Sequence, residues 1–192
     1  LHLPGFDRLA FWQHSMGVGA CCEMIASRVR NAVPGEAYLV GLCHDLGKLV
    51  LALTQPGEYA CCLAEARLSR QSLYDLETRR LGLDHALAGA GALREWKLNP
   101  ELVYGVLNHH EECYTLPQGR LIPVLHLAQG IFGAIGAEPG TLEAEVAAHR
   151  RQYGQRALQL DEDFVNAVSE DLQVTLDKLH SAVLAMTGER AA

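Results

Sequence analysis

Apolar residues recur three and four positions apart along most of this chain, and no segment alternates strictly between apolar and polar. The first spacing lays a stripe along one side of a helix; a half-buried strand would need the second. His14, Val18, Cys21 and Ile25 follow one another at steps of four, three and four. The chain is therefore predicted to be all-α. With 192 residues, no repeat, no low-complexity tract and no long linker, a single domain over 1–192 is expected.

Punctuation residues divide it. A helix is predicted over 8–30, broken by Pro34-Gly35, then a short buried one over 36–45, ended by Gly47. Further helices are predicted over 59–68 and 72–81, with Gly82 in the C-terminal turn. Asp84 caps the next, which runs to Trp96, and Asn99 with Pro100 opens another. "YTLPQGR" reads as a loop. Helices over 121–135, 141–153 and 163–186 complete the chain. On the last, Phe164, Val168, Leu172, Leu176, Leu179 and Val183 form one apolar stripe, expected to pack on its own domain.

The segment "LVGLCHDLGKLVL" (39–51) interrupts an apolar run with His44, Asp45 and Lys48. His14, His85, His109, His110 and His126 also fall within apolar helical segments. Each buried imidazole left unsatisfied costs roughly 1–3 kcal/mol, so a shared cation is an economical partner. Imidazole with carboxylate suits Zn, Mn, Fe or Ni rather than Ca. Adjacent His44 and Asp45 point differently, so Asp45 could bridge two ions while His44 serves one.

The net charge of -7 argues against duplex nucleic acid. The basic run "HRRQYGQR" (149–156) reads as a solvated helix face, and Trp12 and Trp96 as core or interdomain packing. Six cysteines without a CxxC motif suggest free thiols in a reducing cytoplasm. The longest apolar stretch, 121–137, is interrupted by Pro123, His126 and Gln129 and is too short to span a membrane. No Ser or Cys sits in a recognisable nucleophile motif. The start at Leu1 rather than Met suggests a fragment.

"HDLGK" (44–48), "HALAG" (85–89) and "HHE" (109–111) resemble the motifs of the HD superfamily of metal-dependent phosphohydrolases. "FWQHSMGVG" (11–19), "LETRRLGLDHALAGAGALREW" (76–96) and "LNHH" resemble, more narrowly, the HDOD family of HD-related output domains in bacterial signalling proteins. The resemblance implies an HD-type helical bundle, and that a helical part usual before "FW.HS" is missing here. It implies His14, His44, Asp45, His85, His109 and His110 as metal ligands and Lys48 as a phosphate contact. Asp45 and Lys48 would be catalytic if the chain is a hydrolase.

Two departures bear on activity. In active HD hydrolases, including the cyclic di-GMP-cleaving HD-GYP branch, a late-helix aspartate closes the first metal site; "VLHLAQGIF" has Gln129 there. The GYP signature after "HHE" is also missing. His126 either substitutes in part or is structural. A single firmly bound ion at most is expected, held by Asp45, His85, His109 and His110, with the His14, His44 and Asp45 set weak or empty. The leading expectation is a cytoplasmic signalling output domain with a catalytically degenerate site, acting on a partner protein or fused domain, with a nucleotide ligand and a homodimer both compatible. The alternatives are a phosphohydrolase acting on a nucleotide or cyclic dinucleotide, and a metal-free structural bundle.

Overall fold

The computed structural model describes residues 3–69, 71–112, 120–136 and 142–187, with backbone alone at 136, 142, 143 and 179–187. It is helical, with no strand among the described residues. The elements are α1 (Arg8–Ala26), α2 (Pro34–Cys43), α3 (Leu46–Thr54), α4 (Pro56–Leu68), α5 (Leu73–Leu81), α6 (His85–Glu95), α7 (Pro100–Leu107), α8 (Leu121–Gly136), α9 (Leu142–Leu158) and α10 (Glu162–Thr187). The all-α, HD-like bundle expected from the sequence is the fold observed. The predicted loops "YTLPQGR" and "GAEPGT" lie almost wholly outside the described residues.

Caps fall where local chemistry places them. Asp7, Ser72, Asp84 and Asn99 each accept backbone N–H groups at the start of a helix. Gly82 ends α5 with φ 74°, a left-handed conformation that favours glycine. Helix α1 stops at Ala26, short of the predicted residue 30. There Ser27 turns both its backbone N–H and its hydroxyl to the Glu23 carbonyl.

A second correction concerns Gly47. It does not end a helix; it lies in the first turn of α3, which the sequence reading missed. Its role is close approach. A Cβ at Gly47 would lie 1.8 Å from the His85 carbonyl oxygen and 2.6 Å from the Gly89 nitrogen, so α3 and α6 meet backbone to backbone.

Two apolar clusters carry the fold. The larger joins Val18, Cys22 and Ile25 of α1 with Val40 of α2, Leu125 and Ala128 of α8, and Val165, Val168 and Leu172 of α10. The smaller gathers Leu51, Tyr59, Cys62 and Leu76 around α3–α5. Phe164 and Leu176 pack against the larger cluster, so α10 does pack on its own domain; the side chains of Leu179 and Val183 lie outside the described set. Arg28 also forms an ion pair with Asp171 of α10. Trp12 and Trp96 are 44% and 61% exposed, so of the expected core or interdomain packing the core role is corrected.

The stretch Pro34–Thr54 is long and apolar enough, by length and composition, to cross a membrane. In the fold it is bent between α2 and α3, and the bend carries His44 and Asp45.

Candidate metal centre

Four segments converge on that bend. His14 comes from the middle of α1 and His85 from the first position of α6; His109 and His110 sit in the turn after α7. Asp45, between α2 and α3, has φ -97° and ψ 5°, in the sparsely populated bridge region common in active sites. His44, Asp45, His85 and His109 are buried and form a floor. His14, Lys48 and His110 are partly exposed above it.

The two Asp45 oxygens face different neighbours. Oδ2 lies 3.8 Å from His14 Nε2, 3.4 Å from His44 Nε2 and 2.6 Å from Lys48 Nζ. Oδ1 lies 3.4 Å from His85 Nε2 and 3.9 Å from His109 Nε2. Two sets of metal-competent atoms result, His85–His109–His110 and His14–His44–Asp45, each with its atoms within 4.8 Å of one another. All six residues expected from the sequence are brought together, and Asp45 lies between the sets.

The outer hydrogen bonds fix how the rings present themselves. His44 Nδ1 lies 2.7 Å from the Gly41 carbonyl, and His109 Nδ1 lies 2.7 Å from the Val106 carbonyl. A carbonyl only accepts, so each Nδ1 carries the proton and each Nε2 presents a lone pair. Both Nε2 atoms are buried and meet no hydrogen bond among the described residues. Buried lone pairs turned toward a carboxylate repel it unless a cation lies between them. The residues therefore fit a divalent transition metal.

His85 is fixed differently. Its Nδ1 lies 2.5 Å from Glu77 Oε2, which also accepts the His85 backbone N–H at 2.9 Å. Glu77 is fully buried on α5, and the sequence reading passed over it. The available signal was a charged residue on the apolar side of α5, one position after Leu76. His110 Nε2 is 2.9 Å from His85 Nε2, and the Tyr74 ring lies 4.4 Å from the His110 ring.

Burial dominates the titration of the rings. It brings His14 down to about 4, with His44 adding to the effect and Asp45 opposing it. It brings His110 to about 2, assisted by His85 and Arg150, and holds His109 well below the usual imidazole range. Burial would raise Asp45, but Lys48 and, whenever they are protonated, His44 and His85 outweigh it and keep the carboxyl well below its usual range. Neutral imidazoles around an ionised carboxylate are the state that binds metal.

Gln129, on α8, is 5% exposed, and its Oε1 is buried without a hydrogen-bond partner among the described residues. It lies one turn before Phe132, whose ring is 5.3 Å from that of His14. His126 is buried against the Tyr153 ring at 4.7 Å. The "HRRQYGQR" segment is not a uniformly solvated face: Tyr153 and Gly154 are buried, and Arg150 reaches the cluster, its Nη2 3.4 Å from His110 Nδ1.

Comparison with known proteins agrees with this geometry. The HDOD domain model matches residues 2–112. Three solved structures share the fold. One, from Shewanella amazonensis and provisionally named a phosphohydrolase, is 24% identical, with TM-score 0.71 over 90% of this chain and 62% of its own. Another, from Marinobacter aquaeolei and provisionally named a signal transduction protein, is 22% identical, with TM-score 0.73 over 93% and 38%. An HDOD domain protein with unknown function from Geobacter sulfurreducens is 21% identical, with TM-score 0.69 over 91% and 62%. The chain thus spans less than two thirds of each of these proteins. No curated protein matches it.

Proposed function

This chain belongs to the HDOD family, and we propose that it serves as a bacterial, cytoplasmic signal-transduction output domain built on a catalytically degenerate HD-type metal centre. The reading rests on the chemistry of two buried residues, Asp45 and Gln129. Asp45 is the one carboxylate in the two ligand sets, and the position expected to add another to the His14–His44–Asp45 set is a buried amide, Gln129. An amide oxygen binds a transition metal far more weakly than a carboxylate. One ion, on Asp45, His85, His109 and His110, is the firmly held one; His14 and His44 with Asp45 form the weak set.

A bound ion would supply an acidified water and charge for a phosphoryl oxygen. The chain's own residues would orient it: Gly41 and Val106 fix two tautomers, and Glu77 fixes the third. Lys48 holds Asp45 in place and puts a cation beside any bound oxyanion. With only one site firmly filled, the domain retains ligand recognition and loses two-metal hydrolysis. A partner protein or fused domain would read its state, as the signal-transduction name of one structural relative suggests.

One observation favours the hydrolase reading: a cavity of about 260 Å³ opens on His14, Asp45 and Lys48, giving a nucleotide a route to the centre. Two measurements decide between the readings. Untagged protein purified without added metal is assayed for metal content, and manganese- and iron-loaded samples are assayed on cyclic di-GMP. One ion per chain with background hydrolysis supports the output domain. Robust turnover that Asp45→Ala abolishes would establish the hydrolase instead.

A further inference from the structure

Arg150 stands on α9 (Leu142–Leu158), an element that contributes none of the ligand candidates. Its helix neighbours His149 and Arg151 pair with Glu112 and Glu162, but among the described residues no carboxylate forms an ion pair with Arg150. The 3.4 Å contact with His110 is at the limit of hydrogen bonding. A guanidinium carries five donors, and half-buried Arg150 brings them to the edge of the cluster.

Its root is held firmly. A Cβ at Gly130 of α8 would lie 2.4 Å from the Arg151 nitrogen, and one at Gly154 would lie 2.6 Å from Leu127 Cβ. Helix α9 is therefore pressed against α8 on both sides of Arg150.

Lys48 is the second cation at the cluster, 2.6 Å from Asp45. Lys48 reaches Asp45, whose Oδ2 lies 3.8 Å from His14 Nε2, and Arg150 reaches His110; His14 and His110 are the two partly exposed ligand candidates. Lys48 and Arg150 border a group with two carboxylates, Asp45 and Glu77, so a divalent ion would leave it with an excess of positive charge. The missing counter-charge is an anion. The cavity beside Lys48 indicates what the anion carries, because Phe6, Phe11, Tyr59, Leu63 and Leu73 line it.

We propose that Arg150 and Lys48 form an anion clamp over the histidine–aspartate cluster, taking the phosphate group of a ligand whose aromatic or apolar substituent lies in the cavity beside Lys48. The clamp deepens the metal-centre reading and rests on it for where the oxyanion sits.

Calorimetric titration with inorganic phosphate and with adenosine 5′-monophosphate tests it, using wild type, Arg150→Gln and Arg150→Lys. Each protein is titrated metal-free and manganese-loaded, with metal content measured on the same samples. Wild type is expected to bind both probes, the nucleotide more tightly. Arg150→Gln should lose about tenfold or more in affinity for both, the scale of a hydrogen bond to a charged group, with its metal content unchanged. Arg150→Lys should fall between, since it keeps the charge and loses the fork. Equal affinity in wild type and Arg150→Gln, or no phosphate binding by wild type in either metal state, overturns the clamp. If Arg150→Gln does not fold, Arg150→Lys binding as tightly as wild type does the same. A nucleotide bound no better than phosphate overturns the cavity assignment. Absence of metal from every sample overturns the metal-centre reading alone, and the metal-free titrations then decide the clamp.

Discussion

Glu77 and His85 meet in full burial, the carboxylate accepting from both Nδ1 and the backbone nitrogen of the same histidine. A contact of this kind fixes a ligand ring by its far side. Removing such an outer partner costs metal affinity about 10–100-fold in known centres. Glu77→Gln keeps the volume and loses the charge, so metal affinity measured by competition with a chelator should fall within that range. An unchanged affinity would show that packing alone holds the His85 ring.

Gln129→Asp should raise metal content toward a second ion. Without metal, the same change buries an unpaired carboxylate and should lower the thermal midpoint. Manganese should restore more midpoint to the variant than to wild type. Metal analysis and differential scanning fluorimetry on the same samples check both halves.

Gly47→Ala should unfold the site. The added methyl would overlap the His85 carbonyl at 1.8 Å, and that atom is backbone, with no rotamer to yield. A loss of about 3 kcal/mol or more is expected, read as a lower denaturant midpoint together with lost metal binding. Gly35→Ala, at a position with nothing within 4 Å of the added carbon, is the control and should be nearly neutral.

The metal-free protein should lose stability as pH falls below 6.5. His14 and His126 drop from 6.5 to about 4 on folding, so between those values the unfolded chain binds more protons than the folded one. Stability then rises with pH across this window and is fully present above 6.5. For buried His126 the effect reaches about 3 kcal/mol; half-exposed His14 adds less. Denaturant midpoints measured from pH 7 to pH 4 in the presence of chelator should slide downward, and a flat profile would contradict the burial argument.

Leu172→Ala, in the fully buried part of α10, should cost about 2–5 kcal/mol. Truncation after residue 159 should cost more, because Val165, Val168 and Leu172 leave the main core together. Unchanged stability after truncation would mean that α10 is not part of this core.

What the sequence disclosed divides along physical lines. Histidines inside apolar stripes stood out because a polar residue there has few reasons to be present, but that signal marked His126 as well; the family resemblance is what singled out the six ligand candidates. The caps at Asp84 and Asn99 were legible because capping is local chemistry. Gly47 was misread because a glycine needed for contact with α6 looks, within its own segment, like one that stops a helix. Glu77 and Arg150 were missed because their roles exist only through partners 8 and 40 residues away. In Arg150 the basic neighbours compounded the error, since a run of charges ordinarily faces water.

The ligand candidates come from four stretches that share no hydrogen-bonded ladder: α1, the α2–α3 bend, the start of α6 and the turn after α7. An ion held by them is a tie among four independently wound pieces, so its binding energy enters the folding equilibrium by mass action. The fraction of chains docked into this bundle would then follow the free metal concentration around it, and metal starvation would act first as a loss of folded protein.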